Sequence, residues 1–230
     1  MIVALGLGVV IGALLGLLGG GGSILAVPAL VYAVGQPLSA AVPTSLIVVG
    51  LSSTTAVLPR LRQRGQIAWR IAGVFGAAGT ATAFAGTTVN KLLPPSVVLL
   101  GFAALMIAAA IQMLRGSGTT GGSCALPGGG VNWRSCLPKA IASGAVVGFL
   151  TGLFGVGGGF LIIPALTLLL GLSMATAVGT SLVIIVINST AGVAAHAHTG
   201  GLHLDPGVTI AFTGAAIAAL VTIQTLLTTI

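Results

Sequence analysis

The chain has 230 residues, 56% of them hydrophobic and 4% charged, with eight Lys or Arg, one acidic residue and a mean hydropathy of +1.20. Soluble domains carry about 25% charged residues, so this composition excludes a water-facing globular domain, and no nucleic-acid partner is expected. The apolar runs are continuous rather than alternating, which favours helices over a membrane barrel, and several reach the roughly 20 residues that cross a bilayer.

In chain order, span 1 is expected over about 2–19, followed by a glycine break at Gly19–Ser23 and a short apolar piece, Ile24–Val34. Span 2 follows over about 39–58, span 3 over about 69–89 and span 4 over about 95–114. A polar Gly/Ser-rich insert occupies 115–138. Span 5 is expected over about 139–154, with a second break at Gly155–Gly159 and a second short piece, Phe160–Leu170. Span 6 covers about 174–195 and span 7 about 207–229. The fold class is therefore an all-α polytopic membrane protein of about seven transmembrane helices. The N-terminus lacks the basic flank and cleavage site of a signal peptide, and its glycine break has a partner downstream, so it reads as part of the mature fold.

The two halves repeat. Pro28 and Pro164 set an offset of 136 residues, and from Leu17 to Gly65 the ungapped match holds 18 identities over 49 positions. Thr44-Ser45-Leu46 falls on Thr180-Ser181-Leu182, and Ser53-Thr54 falls on Ser189-Thr190. The domain organisation is a first repeat over 1–114, the insert over 115–138, and a second repeat over 139–230. The counterpart of span 4 would fall near 231–251, outside this sequence: either the native protein is longer, or a seven-span chain is expected to cover the exposed groove as a homodimer. Repeats with interrupted hydrophobic segments at matching positions point to a transporter's binding site.

Arg60, Arg62, Arg64 and Arg70 crowd one loop, Arg115, Arg134 and Lys139 surround the insert, and Lys91 lies alone on the other side. The bias of Lys and Arg toward the cytoplasm then predicts cytoplasmic 59–70 and 115–138. Loop 196–206, equivalent to 60–70, is expected there too if each broken segment crosses once and the halves are parallel. If each broken segment folds back, the crossing count changes and the halves can be inverted.

The segments GLLGGGGSILAVP and GLFGVGGGFLIIP, each with a Thr-Ser pair about 16 residues after its Pro, carry a resemblance. The chain resembles the sulfite exporter TauE/SafE family of prokaryotic and plant membrane proteins over nearly its whole length. That resemblance implies export or uptake of small sulfur-containing anions such as sulfite, sulfoacetate and other organosulfonates across a prokaryotic cell membrane. The copies depart from each other at Ser23 against Gly159 and Pro43 against Gly179.

A site can be argued from the residues alone. Irregular backbone at membrane depth is tolerated only where it is buried or lines a water-filled cavity. The short pieces after the breaks are about 16 Å long at 1.5 Å per residue, half a bilayer, so their N-termini and free N–H groups fall near the midplane. Such ends bind oxyanions, which makes Gly20, Gly21, Gly22 and Ser23 in the first half and Gly157, Gly158 and Gly159 in the second the candidate backbone donors. The other use of such glycines is close helix packing. Thr44, Ser45 and Ser52, matched by Thr180, Ser181 and Asn188, can donate to sulfonate oxygens, and Ser53, Thr54, Ser189 and Thr190 continue the matched set. The competing use of these groups is bonding to their own helix backbone or to a neighbouring helix.

Asp205 is the only acidic residue and falls in a loop. Cation sites in membranes rely on buried carboxylates, so the substrate is expected to be an anion or a neutral solute. His196, His198, His203 and Asp205 look like metal ligands but are badly spaced for one helix face, and no metal or cofactor is expected. Cys124 and Cys136 form no zinc motif and, on the cytoplasmic side, are expected to stay reduced. With no nucleotide loop and no catalytic constellation, the chain reads as a secondary transporter rather than an enzyme. A channel-like pore for another anion or neutral solute, or an enzyme subunit in the membrane, are the alternatives.

Overall fold

The computed structural model describes residues 2–18, 23–61, 66–90, 92–114, 133–154, 159–198 and 206–229, and they are helical with no strand among them. We number the helices α1 (Ile2–Leu18), α2 (Ser23–Pro28, carried on by a π-helical turn, Ala29–Ala33), α3 (Leu38–Leu61), α4 (Trp69–Asn90), α5 (Pro95–Leu114), α6 (Trp133–Phe154), α7 (Gly159–Pro164, carried on by a π-helical turn, Ala165–Leu169), α8 (Met174–His198) and α9 (Pro206–Thr229). Windows long and apolar enough to cross a membrane lie in α3, α6, α8 and α9, and α4 and α5 have spanning lengths of 22 and 20 residues. The chain is a polytopic helical membrane protein.

The helices fall within a few residues of the expected spans, with one displacement. Helix α6 starts at Trp133, inside the expected insert, because Pro138 removes only one hydrogen bond near the helix start and does not end it. The short pieces bring a feature that spacing did not announce. After Pro28 and Pro164, both at φ −56° and ψ −40°, the helix widens into π turns, with the Val34 N–H donating to Ala29 O at 3.2 Å. Gly35 and Gly171 then take φ of +75° and +70°. A side chain there would be strained, and glycine is the residue that turns a helix end this way. The N–H groups of Gln36 and Leu172 close the turns on Leu30 O and Leu166 O, each at 3.0 Å. The same geometry thus recurs 136 residues later.

Helix packing follows small residues. Phe75, Gly79 and Ala83 of α4 lie against Gly144, Gly148 and Gly152 of α6 in the same order, so these helices run parallel. Gly8 and Gly12 of α1 meet Phe212 and Ala216 of α9 in the same way. A Cβ on Gly148 would overlap the Gly79 backbone, and one on Gly12 would overlap Ala216 O, so here glycine serves close approach between helices. Helices α4 and α8 also run parallel: the Ala68 N–H donates to Thr180 Oγ1 at 3.1 Å, Gly76 faces Ile187, and Thr80 reaches Asn188. Helices α3 and α8 are antiparallel, because Gly50 lies against Ser189 while Gly192 lies against Leu46.

These directions decide how the chain passes the breaks. Since α6 and α8 both run with α4, α7 between them has to come back. Its π turn lies against α6, as the π turn of α2 lies against α1. The broken segment between α6 and α8 is therefore a hairpin. Equivalent helices that run antiparallel are exchanged by an axis perpendicular to them, the relation found in inverted-topology repeats.

One expectation is thereby corrected. The C-terminal ends of α3 and α8 lie at opposite ends of the antiparallel pair, so loop 196–206 leaves from the side opposite to 59–70. The sequence carried the signal: four arginines stand in one loop and no Lys or Arg in its equivalent, as a one-sided Lys/Arg bias requires of an inverted pair. A second correction concerns Cys136, which is buried and disulfide-bonded rather than reduced; Cys124, the other cysteine of the chain, lies outside the described residues. That expectation rests on the compartment alone.

Candidate substrate-binding site at the crossing of α3 and α8

The register of the antiparallel pair fixes its centre. With Gly50 opposite Ser189 and Leu46 opposite Gly192, Leu51 and Ser52 stand level with Ile187 and Asn188, which are their own counterparts at the offset of 136. The centre of the relation between the halves therefore falls here. Thr44 and Thr180 lie eight residues away toward opposite ends, about 12 Å at 1.5 Å per residue. Helix α2 packs on α3, α7 packs on α8, and α2 and α7 touch each other, so the two short helices meet beside this crossing.

The matched polar residues divide by what their hydroxyls do. Ser45 donates to Val42 O at 2.7 Å and Ser181 donates to Val178 O at 2.9 Å, the same bond in both halves. Thr54 donates to Gly50 O, and Thr190 to Val186 O and Ile187 O. For these four the competing use holds: the proton is spent on the residue's own helix. Thr180 Oγ1 accepts the Ala68 N–H and ties the start of α4 to α8. Asn188 accepts a hydrogen bond from Thr80 of α4 at 3.0 Å through Oδ1, which leaves its Nδ2 as the donor end.

Thr44, Ser52 and Ser53 differ. All three are fully buried, at 0% exposure, and their hydroxyls have no partner. A buried hydroxyl without a partner costs about 1–3 kcal/mol, which sets these three apart from the matched hydroxyls bonded to their own helix. Ser189 is also buried. Gly159 is buried at the start of α7, whereas Gly20, Gly21, Gly22, Gly157 and Gly158 lie outside the described residues, as does the side chain of Ser23. The side chains of His196 and His198, together with His203 and Asp205, also fall outside them.

Two polar groups escaped the sequence reading. Gln36, in the turn after the first π segment, is 8% exposed with neither side-chain atom partnered. Its counterpart is Leu172, so the repeat comparison passed over it. Thr80, the partner of Asn188, has Ala216 as its counterpart and was invisible for the same reason.

The profile of the family described as "Sulfite exporter TauE/SafE" matches residues 4–226. The chain belongs to this family. Among its relatives, a protein of Xylella fastidiosa (strain 9a5c) named "Probable membrane transporter protein" is 37% identical over 186 residues, which cover 79% of this chain and 68% of that protein. A Bacillus subtilis (strain 168) protein, "Probable membrane transporter protein YunE", is 30% identical over 216 residues, covering 84% of this chain and 77% of the relative. A Methanocaldococcus jannaschii protein named "Probable membrane transporter protein MJ0441" is 39% identical over 79 residues, 32% of this chain and 30% of the relative. No solved structure matches. Family membership and these relatives make the chain a membrane transporter, which agrees with its helical, apolar build.

Proposed function

We propose that this transporter carries small sulfur-containing anions, sulfite or organosulfonates, across a prokaryotic cell membrane as a secondary transporter. The substrate would bind between the halves, where α3 crosses α8 and α2 touches α7. The observation that carries this reading is the set of buried, unpartnered hydroxyls of Thr44, Ser52 and Ser53. The Asn188 amide and Thr180 add further donors, and the backbone N–H groups of Gly20–Gly22 and Gly157–Gly159, with Ser23, would complete the site. Ser45 and Ser181 would enter it by turning away from their own helix carbonyls. Neutral donors suit a transported anion, since a fixed cation would hold it too tightly to release. The arginine-rich side, with 59–70 and 115–138, faces the cytoplasm in this reading, and 196–206 faces out.

The test is uptake of radiolabelled sulfite and sulfoacetate into liposomes holding the purified protein. Saturable uptake by the wild type is expected, and it should be lost in Gly21→Leu and in Gly157→Leu while both variants remain in the membrane. Flux of these anions without saturation would favour a pore, and no flux of either would refute the substrate class.

A further inference from the structure

The pair Ser53 and Ser189 is distinguished from the other matched hydroxyls by where the helix register puts it. On α3, Leu46, Gly50, Ser53 and Val57 recur at the spacing of one helix face, and Leu46 and Gly50 of that row touch α8. On α8, Leu182, Ile185, Ser189 and Gly192 form the corresponding row, with Ser189 and Gly192 touching α3. The two serines are counterparts at the offset of 136, so they flank the centre of the crossing from either side. Ser189 stands level with Gly50, three residues from Ser53, or about 4.5 Å along the helices.

Gly50 is what brings them close. A Cβ there would sit 3.0 Å from Ser189 Cβ and 3.6 Å from its Oγ, so the helices meet through a missing side chain. Both serines are buried, at 0% and 5% exposure, and Ser53 Oγ has no partner. A helix serine can bond a carbonyl of the preceding turn, as Ser45 and Ser181 do, and Ser53 does not. The orphaned hydroxyl of Ser53 is thus a donor kept in reserve at the middle of the molecule.

We infer that Ser53 and Ser189 are the central pair of substrate ligands, one from each half, each donating to a different oxygen of a single sulfite or sulfonate group. Hydroxyl-to-oxygen bonds of about 2.7 Å on either side suit one such group held between two adjoining helices. No charged side chain belongs to either row, so the pair selects an oxyanion by geometry and donor count. The inference rests on the proposed substrate class and names the residues that would hold it.

The test compares Ser53→Ala, Ser189→Ala and the double variant in liposomes, with Thr222→Val as control, since Thr222 is exposed on α9 and bonded to its own helix at Ala218 O. Each single variant should raise KM for sulfite about ten- to a hundredfold with Vmax little changed, as loss of one hydrogen bond to a charged group predicts. The double variant should raise it by the product or more, and the control should match the wild type. Thermal stability in detergent should not fall in Ser53→Ala, because the change removes an orphaned hydroxyl. Wild-type KM in the double variant overturns the inference and leaves the substrate class standing. A KM change seen only with a fall in stability overturns it too, by making the serines packing residues. A wild type that transports neither sulfite nor sulfoacetate overturns the substrate class and this inference together.

Discussion

Thr44 and Thr180 are counterparts with the same side chain in the same turn of equivalent helices, yet replacing each by valine should move stability in opposite directions. Thr44 Oγ1 is fully buried with no partner, so Thr44→Val removes a standing cost and should stabilise by about 1–2 kcal/mol. Thr180 Oγ1 accepts the Ala68 N–H at 3.1 Å. Thr180→Val strands that N–H at the entry to α4 and should cost about 1 kcal/mol. The variants then differ by about 2–3 kcal/mol, which for a chain of this size separates their Tm values by about 4–12 °C. Thermal unfolding in one detergent, followed by circular dichroism, reads the difference directly. Shifts of the same sign, or shifts within a degree of each other, would show that Thr44 is already satisfied and would remove one of the three hydroxyls on which the site rests. Transport gives the second reading: Thr44→Val should gain stability and lose sulfite uptake, as expected where a group is held unpaired for a ligand.

Single cysteines at position 63 and position 200, placed in a protein without Cys124 and Cys136, should label from opposite sides of the membrane. An impermeant thiol reagent applied to intact cells is expected to reach Gly200→Cys and to reach Gln63→Cys only after permeabilisation; labelling of both from one side would refute the inversion. Gly148→Ala should destabilise by about 1–3 kcal/mol because its Cβ would overlap Gly79. Gly73→Ala, with nothing within 4 Å of its Cβ, should gain about 0.5–1 kcal/mol from helix propensity, and equal Tm shifts would refute the parallel α4–α6 contact.

Most helix limits were legible because glycine, proline and short polar segments interrupt long apolar runs. The π turns were not, since nothing in ALVYA or ALTLL distinguishes a widened turn from an α-helical one. The direction of the second half stayed open between parallel and inverted, although HAHTGGLHLD, standing where the first half has RLRQRGQIAW, has lost every arginine, which marks a loop on the other side. For the site, the repeat found the hydroxyls but not their fate. Ser45 and Ser53 are both matched serines on α3, and only three-dimensional structure shows that one has spent its proton and the other has not. Thr80 and Gln36 lie where the copies differ, so a comparison of copies could not reach them.

The pairing of α1 with α9 has a consequence for how the chain is made. Gly8 rests on Phe212, a partner synthesised 204 residues later, which at 5–20 residues per second arrives roughly 10–40 s after it. Through that interval the glycine face of α1 lies in the bilayer without its principal contact, and lipid must cover it. Helix α6 has no such wait, because α4 precedes it into the membrane. Assembly is therefore asymmetric in time although the packing is nearly symmetric in space. The α4–α6 contact closes as soon as α6 is inserted, and the α1–α9 contact stays open until α9 arrives.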